Sequence, residues 1–334
     1  MGEKGFTYGG EDSYHTSKGL VPCEQMGAYS IGIDLGGTNL RAAAIGQDGK
    51  MLGKISGSTP VAAGPEPVVD DMAHSVEKLR EQFGRDHLAG IGAGVPGNID
   101  MAKGVIVGWG NMPIFNGYAM RDELSKRLNA KVILENDANA AALGEKWMGA
   151  GRGVDDLVLL TLGTGIGGGI IVGGHILHGQ IGMAGELGHI TISPNGNPCG
   201  CGNRGCVEKH ASATAISAMA RLLGLGHDLT AQQVYDLAVQ GNDRAREIFR
   251  VMGEALGIAL AGLINIFNFP LYLLGGGVVA SWEFFAPAMM AEVERRSYTY
   301  RSTLKTAPTR IEAARLGGDA GLFGAACLPF QDAA

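Results

Sequence analysis

A short pattern of strand, glycine-rich turn and strand occurs twice in this chain. The first copy is centred on Asp34-Leu-Gly-Gly-Thr and the second on Thr161-Leu-Gly-Thr-Gly. The offset between the copies is 127 residues (161 − 34), and it places Gly163 on Gly36. An internal duplication constrains the architecture more strongly than any single motif does. It predicts two related α/β lobes that face each other, each offering one hairpin turn to a shared cleft.

Apolar periodicity and turn signals divide the rest of the chain into strands and helices. Beyond the two copies, we predict strands over 51–56, 88–95 and 131–134, and a last buried strand that starts at Leu271 and ends in a glycine turn. We predict helices over 68–83, 138–147, 211–223, 231–239, 243–266 and 316–328. The chain is therefore expected to comprise a flexible extension over 1–28, a small lobe over 29–135 plus 316–330, and a large lobe over 136–315.

Composition and charge exclude several classes of protein. With 334 residues, of which 46% are hydrophobic, the chain is long enough for two domains with their own cores. A net charge of −6 argues against a nucleic-acid partner, because neutralising phosphates requires a basic face. No apolar run approaches the ~20 residues that span a bilayer, so no membrane partner is expected. The first 28 residues lack a signal-peptide core, Met26 is an alternative start, and five cysteines fit a reducing cytoplasm.

Four metal-binding side chains lie within eighteen residues of one another: His189, Cys199, Cys201 and Cys206. Three thiolates and one imidazole complete a tetrahedral zinc site and leave no open position for a catalytic zinc. The alternative is unpaired or disulfide-bonded cysteines, although a bridge between Cys199 and Cys201 would be strained. We therefore predict a structural zinc ion in loop 189–206, with Glu186 and Glu208 on either side of it.

Turns made of Gly-Gly-Thr and Gly-Thr-Gly expose backbone N–H groups with no side chain in the way, and such concavities suit phosphate oxygens. Asp34, at the end of its strand, is placed to hold Mg²⁺ through water, because Mg²⁺ keeps much of its hydration shell. For either turn alone the alternative is an ordinary tight hairpin, but two copies in register favour phosphate binding. A third cluster, Gly275-Gly276-Gly277, follows a strand, and backbone there can approach a nucleotide base or ribose.

Glu135-Asn136-Asp137 ends a predicted strand and begins a predicted helix. Phosphoryl transfer to an alcohol uses a carboxylate that accepts or orients the hydroxyl proton, and Asp137 is the best candidate for that base. The alternative role for Asp137 is that of a helix N-cap. Asn136 lies at the carboxyl edge of a sheet, where ligand crevices form in α/β folds. Gly94-Val-Pro-Gly97 and Asn111 are further candidate sugar contacts, although the first fits an ordinary turn equally well.

Taken together, these residues resemble the ROK family of sugar kinases, within the actin-like ATPase superfamily, and most closely its bacterial glucokinases. The matching motifs cover about residues 30 to 330. They are Asp34-Leu-Gly-Gly-Thr, Glu135-Asn-Asp-Ala-Asn, Leu162-Gly-Thr-Gly-Ile-Gly-Gly-Gly, Glu186-Leu-Gly-His, Cys199-Gly-Cys-Gly-Asn-Arg-Gly-Cys-Val-Glu and Leu274-Gly-Gly-Gly-Val. The resemblance implies the duplicated two-lobe α/β fold of the actin-like (ribonuclease H-like) ATPases. It also implies a homodimer, since the family is commonly dimeric.

The resemblance further implies a role for each motif residue in an ATP-dependent hexose kinase. Asp137 would be the general base on the sugar 6-hydroxyl. The sugar would contact Gly97, Asn111, Asn136, Asp137, Glu186, His189 and Glu208. The nucleotide, with its Mg²⁺, would contact Asp34, Gly36, Gly37, Thr38, Gly163, Thr164, Gly165 and Gly276. His189 would bind the sugar through one ring nitrogen and zinc through the other, which couples the metal to substrate binding.

The motifs leave the identity of the hexose open. Glucose is the substrate we favour, and fructose, mannose, allose and N-acetylhexosamines are alternatives because the same residues serve all of them. Polyphosphate is the alternative phosphate donor. Some family members are repressors with an N-terminal helix-turn-helix, but only 28 polar residues precede the first strand here. A non-catalytic sugar sensor is disfavoured because Asp34, Asp137 and both glycine turns are intact.

Overall fold

The computed structural model describes residues 27–59, 63–110 and 112–332 of the chain. Met26, most of the predicted N-terminal extension and the candidate sugar contact Asn111 therefore lie outside the described residues. Within the described part, no helix is both long enough and apolar enough to cross a membrane.

The strands of the described residues form two five-stranded sheets and one two-stranded ribbon. In chain order they are β1 Tyr29–Leu35, β2 Asn39–Gly46, β3 Met51–Ser58, β4 Leu88–Val95, β5 Asn98–Asp100, β6 Val105–Gly108, β7 Val132–Asn136, β8 Leu157–Leu162, β9 Ile166–Val172, β10 His175–Ile176, β11 Leu271–Gly275 and β12 Arg310–Ala313. The first sheet has the order β3-β2-β1-β4-β7 and the second has the order β10-β9-β8-β11-β12. The ribbon is made of β5 and β6.

The two large sheets share one topology, as the sequence duplication predicted. β1 is antiparallel to β2 and parallel to β4, and β8 is antiparallel to β9 and parallel to β11. The outer parallel strands, β7 and β12, also occupy equivalent places. Because the parallel strands of a sheet end at the same edge, the turn after β1 lies beside the ends of β4 and β7. The predicted two-lobe duplication is therefore confirmed.

The described helices are α1 Pro65–Phe83, α2 Met120–Leu128, α3 Asp137–Met148, α4 Glu208–Ala211, α5 Ala213–Leu222, α6 Ala231–Val239, α7 Asp243–Phe267, α8 Trp282–Arg296, α9 Tyr298–Thr303 and α10 Ala320–Asp332. The helix predicted over 211–223 is interrupted at Ser212, whose extended backbone separates α4 from α5 and whose side chain accepts a hydrogen bond from Ala215 N at 3.2 Å. The helix predicted from residue 316 begins at Ala320, because Gly317–Asp319 form a separate 3-10 turn.

Among the described elements, the sequence did not predict helices α2, α8 and α9 or strands β5, β6, β10 and β12. The expectation that the strand beginning at Leu271 is the last one is wrong, because β12 follows it and pairs with it in parallel. β12 is a four-residue edge strand with polar residues in it, so it carries no run of apolar residues. α8 contains Pro287 in its interior, and proline usually indicates the end of a helix.

Each lobe has its own apolar core on the outer face of its sheet. In the first lobe, α1 and α2 cover residues such as Ile33 and Ile91, and both of those side chains are buried. In the second lobe, α5 to α8 cover the outward face of β8 and β11, including Leu160 and Tyr272. The division of the chain into lobes at 135/136 and 315/316 stays a prediction.

The inner faces of the two sheets are covered by exchanged helices. α3 follows the first sheet but packs on β8 and β9 of the second, while α10 follows the second sheet but packs on β1 and β4 of the first. The two helices also cross each other so closely that a side chain at Gly144 would overlap Ala320 O, and one at Gly324 would overlap Ala140 O. This pair of helices therefore joins the lobes.

A buried carboxylate fastens the end of α3 to the chain that leads into α10. Glu145 is fully buried, and its oxygens accept hydrogen bonds from three backbone N–H groups: Ala150 at 2.8 Å, Arg315 at 3.1 Å and Leu316 at 2.7 Å. These hydrogen bonds offset the cost of removing a polar side chain from water. The connection between the lobes thus consists of the hydrogen bonds to Glu145 as well as the close packing of α3 on α10.

Candidate active site

The first glycine turn spans residues 36–39 between β1 and β2. Gly36 N donates to Asn39 O at 2.7 Å, which closes the turn. The space beside Gly37 is open, since a Cβ built there would meet no atom within 4 Å. Thr38 is exposed, and its hydroxyl accepts from the side chain of Asn39 at 3.1 Å. Free backbone N–H groups beside an open space can receive the oxygens of a phosphate.

Asp34 lies at the end of β1 and is almost fully buried. Its Oδ2 forms an ion pair with Arg41, which sits directly opposite on β2. Arg41 also donates to Gly318 O at 2.5 Å, and Asp319 forms an ion pair with Lys54 at 2.5 Å. Burial raises the pKa of Asp34, and Arg41 opposes that rise. Sequence analysis missed Arg41, although the hairpin register could have indicated it.

The second glycine turn spans residues 163–165 between β8 and β9. Gly163 N donates to Gly165 O at 2.9 Å, so this turn is one residue shorter than the first. Its carbonyl oxygens are held by the start of α5: Ala213 N donates to Gly163 O at 2.8 Å, and the Thr214 hydroxyl donates to Thr164 O at 2.9 Å. Because these two hydrogen bonds hold the carbonyl groups, they fix the backbone conformation of the turn.

A cavity of about 310 Å³ lies between the second turn and the third glycine cluster. It is lined by Gly163, Thr164, Ala213, Thr230, Ala231, Gln232, Tyr235, Phe249, Gly277, Val278, Ala280 and Ser281. Gly276 brings these elements together, because its φ of +86° suits glycine and a side chain there would overlap the backbone of Leu162. The volume and the mixture of aromatic and backbone groups are suited to a nucleoside.

Asn136, and not Asp137, caps helix α3. The Asn136 Oδ1 accepts from Ala138 N at 2.9 Å and from Asn139 N at 3.2 Å, while its Nδ2 donates to Gly97 O at 3.1 Å. Asp137 is the first residue of the helix and accepts from Ala138 N at 2.8 Å. The alternative that Asp137 serves as the N-cap is therefore wrong.

The carboxylate of Asp137 is set to titrate near neutral pH. Burial, followed by the nearby negative charges of Asp34 and Glu186, raises the pKa of Asp137 to about 7, against the effect of the backbone hydrogen bond from Ala138. These influences also show that Asp34, from the first lobe, and Glu186, from the loop region, both lie near Asp137. A carboxylate with a pKa close to the working pH is well suited to act as a general base.

Gly97 and Gly94 both lie close to the start of α3. Gly97 has a φ of +92° and stands beside Gly108, where a side chain would be crowded. A side chain at Gly94 would approach Asp137 Cα to 3.8 Å. Of the predicted sugar contacts in the first lobe, the structure therefore brings Gly97 together with Asn136 and Asp137.

Glu135 and His178 form a contact that sequence analysis missed. Glu135 is 1% exposed. Its Oε1 accepts from Asn136 N at 2.9 Å and from Asn139 Nδ2 at 3.0 Å, and its Oε2 lies 2.7 Å from His178 Nε2. The hydrogen bond with Glu135 raises the pKa of His178, and partial burial opposes that rise. The separation of 43 residues between them gave no sequence signal.

The four predicted zinc ligands converge. The ligand atoms of His189, Cys199, Cys201 and Cys206 all lie within 4.8 Å of one another. Cys199 Sγ lies 3.6 Å from His189 Nδ1, and Cys201 Sγ lies 3.7 Å from Cys206 Sγ. Tetrahedral zinc, with bonds of about 2.3 Å to sulfur and about 2.0 Å to nitrogen, holds such atoms about 3.5–3.8 Å apart. All four described cysteines are free thiols, so the disulfide alternative has no support among them.

The remaining candidate sugar ligands, Glu186 and Glu208, flank loop 189–206 and make different contacts. His189 directs Nδ1 towards Cys199 and leaves Nε2 on the side of Glu186, whose Oε2 is 3.9 Å away. Both side chains are partly exposed and available to a ligand. Glu208 points elsewhere: its Oε2 accepts from Ile166 N at 3.1 Å, beside the second glycine turn. Glu208 therefore lies between loop 189–206 and the second glycine turn.

Comparisons with known proteins fit this geometry. The model of the ROK family matches residues 30–332. A glucokinase from Thermotoga maritima is 39% identical over 312 residues, which cover 89% of this chain and 96% of that protein. The structure of a ROK hexokinase from Thermus thermophilus is 34% identical, with a TM-score of 0.79 over 91% of this chain and 99% of that one.

A second solved structure carries ligands. It is a ROK family glucokinase from Streptomyces griseus in complex with glucose and AMPPNP, 34% identical, with a TM-score of 0.76 over 91% of this chain and all of that one (100%). These similarities confirm the two-lobe actin-like fold class expected from the duplication. Because the family match covers nearly all of the described residues, the chain belongs to the ROK family.

Proposed function

We propose that this protein is an ATP-dependent hexose kinase that phosphorylates the 6-hydroxyl of glucose. The observation that carries the proposal is the environment of Asp137, a half-buried carboxylate at the start of α3 with a pKa of about 7. Asn136 does the capping of α3, so the Asp137 carboxylate is left for a substrate. Glucokinases and hexokinases of the same family support the choice of substrate class.

The reaction follows from this arrangement. Asp137 accepts the proton of the sugar 6-hydroxyl while the oxygen of that hydroxyl forms a bond to the γ-phosphorus of ATP. The bond between the γ-phosphorus and the β–γ bridging oxygen breaks, and ADP is released. The two glycine turns orient the phosphates through backbone N–H groups. Positioning and electrostatic stabilisation supply most of the catalysis in phosphoryl transfer. Glu186, His189 and Gly97 would hold the sugar in the orientation that presents its 6-hydroxyl to Asp137.

The nucleotide would occupy the cavity of about 310 Å³ beside the second turn. Tyr235 and Phe249 line this cavity, and Gln232 offers an amide for polar contacts. Mg²⁺ bound to ATP would screen the phosphate charges. Arg41 pairs with Oδ2 of Asp34, so Oδ1 is the oxygen that would hold a magnesium-bound water.

We also propose that His189, Cys199, Cys201 and Cys206 hold one structural zinc ion. The separations of 3.6 and 3.7 Å between pairs of ligand atoms fit tetrahedral coordination, and three thiolates with an imidazole form a preferred donor set. If Nδ1 of His189 binds the metal, Nε2 carries the proton and donates to a sugar hydroxyl. The zinc would fix the loop that carries Glu186 and Glu208.

The direct test is a panel of hexoses with ATP and Mg²⁺, in which kcat/KM is measured for each. We expect glucose to have the highest value, with fructose, mannose, allose and N-acetylhexosamines lower. A higher value for another hexose would change the substrate and keep the reaction class. Binding of hexose without any ADP release would indicate a sugar sensor and would overturn the proposal.

The role of Asp137 has a matched internal control. Asp137→Asn should lower kcat by about 10²–10⁴-fold and leave hexose affinity nearly unchanged, because the amide keeps the shape and cannot accept the proton. Asp243 also begins a helix directly after a capping asparagine, Asn242, but is exposed on α7. Asp243→Asn should therefore leave kcat unchanged. A variant Asp137→Asn that retains more than about a tenth of the kcat would exclude it as the base.

A further inference from the structure

The chain between β10 and the turn that holds His189 forms a closed loop over residues 178–184. Ala184 N donates to His178 O at 3.1 Å, which joins the two ends of this loop, here named the 178–184 loop. Before it, Leu177 N donates to Ile170 O at 2.8 Å and anchors the chain to β9. Directly after it come Gly185 and Glu186. The position of the loop therefore determines where the Glu186 carboxylate lies.

The tip of the 178–184 loop reaches the first lobe. Gly182 packs so closely on the β5–β6 ribbon that a Cβ there would lie 2.7 Å from Ile99 O and would overlap Met101. Its φ of +92° also favours glycine. The ribbon follows Gly97, while the base of the loop belongs to the second lobe. The loop thus bridges the two lobes on one side of the cleft.

Both ends of the bridge are connected to one buried carboxylate, that of Glu135. At the first end, His178 Nε2 lies 2.7 Å from Glu135 Oε2. At the second end, Gly185 packs beside Asn139, whose Oδ1 would be 3.7 Å from a Cβ at Gly185 and whose Nδ2 donates to Glu135 Oε1 at 3.0 Å. Glu135 directly precedes Asn136 and Asp137. These contacts therefore connect the 178–184 loop to the end of β7, next to the proposed base.

The contact with His178 is the part of this network that attaches the 178–184 loop directly to Glu135. The other donors to Glu135, Asn136 N and Asn139 Nδ2, belong to the same strand end and helix and act on Oε1. Without the imidazole, Oε2 of Glu135 would lose its hydrogen-bond partner and remain buried, which costs free energy. Loss of His178 would therefore release the loop and let water reach Glu135.

We propose that His178 is a positioning residue that fastens the 178–184 loop across the cleft through Glu135 and so holds Glu186 in place for the hexose. The inference rests on the proposed function, because Glu186 is assigned to the sugar there. His178 contacts neither the sugar nor the phosphates in this assignment, so its effect falls on sugar binding and spares the phosphoryl-transfer step.

The test compares His178→Ala with His175→Ala, which removes an exposed imidazole three residues away on β10. His178→Ala should raise the KM for glucose about tenfold or more, the effect expected from losing a charge-assisted hydrogen bond. Its kcat and its KM for ATP should stay close to those of the wild type, as should all constants of His175→Ala. His178→Gln should recover part of the affinity, because its amide N–H can donate to Glu135.

Hydrogen exchange supplies a readout that does not depend on turnover. The amide of Ala184 is bonded to His178 O, so peptides that cover 178–186 should exchange faster in His178→Ala and at the wild-type rate in His175→Ala. An unchanged KM for glucose would overturn the proposal, as would a parallel rise in the KM for ATP with faster exchange throughout the protein.

Failure of the proposed function would look different. If the wild-type protein phosphorylated no hexose, the loop would be tested by the dissociation constant for glucose in calorimetry and by the exchange rate of peptides over 178–186. A wild-type protein that neither binds nor phosphorylates any hexose would overturn both proposals. A wild-type protein with normal kinase activity and no effect of His178→Ala would overturn only the role of His178.

Discussion

The two halves of the duplication share a topology but differ in the chemistry around their glycine turns. The first turn follows a strand that ends in Asp34, and Arg41 stands opposite on β2. The second follows a strand with Thr161 at the equivalent place, and Gly167 stands opposite on β9. One turn therefore has a partly buried ion pair behind it, and the other has no charged residue at the equivalent strand positions. Both copies have a backbone turn that can bind phosphate, but only the first copy carries the aspartate at the end of its strand.

The supports of the two turns differ as well. Thr59 N donates to Thr38 O at 3.1 Å, so the first turn is held by the chain just beyond β3 of its own sheet. The second is held from outside its sheet, by Glu208 and by the start of α5. The first turn thus has an ion pair beside it, whereas the second is held by Glu208, which follows loop 189–206 in the chain, and by the start of α5.

Of the effects that distinguish the two halves, the largest is expected at the charged position, Asp34. Asp34→Asn should lower kcat by about 10²–10³-fold, because it removes preorganised charge next to the phosphates. Thr161→Val, at the equivalent position of the second half, should leave kcat nearly unchanged. Steady-state kinetics with glucose and Mg-ATP provide the measurement. Similar losses in the two variants would show that the halves are not specialised in this way.

The second effect tests loop 189–206, the proposed zinc site, which lies in the second half of the chain. Cys201→Ser should reduce the zinc content from about one ion per chain and weaken hexose affinity about 10–100-fold, because the metal orders the loop that carries Glu186. Cys327→Ala, which removes a buried thiol far from the loop on α10, is the matched control. Metal analysis and calorimetry provide the two readouts. Full hexose affinity in zinc-free protein would break the coupling.

The third effect compares one substitution in the two turns. At Gly37 an added methyl meets no protein atom, so Gly37→Ala should fold normally and raise only the KM for ATP, by about tenfold, where phosphate approaches. At Gly165 the methyl would lie 2.5 Å from Glu208 Oε2 and would displace that carboxylate. Gly165→Ala should therefore raise the KM values for ATP and hexose together. Equal behaviour of the two variants would contradict the asymmetry.

The smallest effect is a shift in pH dependence. Asp137 must be deprotonated to accept a proton, so kcat/KM should fall about tenfold per pH unit below its pKa of about 7. The charge of Asp34 helps to raise that pKa, so in Asp34→Asn the acidic limb of the residual activity should move to lower pH. Thr161→Val should keep the wild-type profile. An acidic limb that stays in place in Asp34→Asn would show that Asp34 does not contribute to the raised pKa of Asp137.

The sequence predicted those parts of the fold and site that depend on local pattern. The duplicated turns, the convergence of His189 with the three cysteines of its loop, and the start of α3 at Glu135-Asn136-Asp137 all follow from short motifs. Short motifs could not assign the helix cap, because Asn136 and Asp137 are both good capping residues. In the structure, it is the Asn136 side chain that accepts hydrogen bonds from the N–H groups of Ala138 and Asn139.

What the sequence missed depends on long-range pairing. His178 and Glu135 lie 43 residues apart, and neither position belongs to a motif that specifies the other. Arg41 was accessible in principle, since a four-residue turn sets the register that places it opposite Asp34. The short edge strand β12 was not accessible, because its place in the sheet is decided by pairing with β11.

The exchange of α3 and α10 between the sheets determines how the chain must fold. Neither half could bury the inner face of its own sheet if it were separated from the other, because the covering helix comes from the opposite half. The pairing of α10 with β1 joins residues nearly 300 positions apart, as in the bond from Ser30 to Ala326 O. Such contacts have a high entropic cost early in folding and make it slow.

Unfolding should accordingly be cooperative across the whole molecule. Although each lobe has a separate core, the loss of α10 would uncover the first sheet and also withdraw the close partner of α3 from the second. Two domains of this size would ordinarily unfold in separate steps. Here the helix exchange makes each half part of the other's interior, so the active cleft and the stability of both lobes depend on a single crossing that admits no side chain at Gly144 or Gly324.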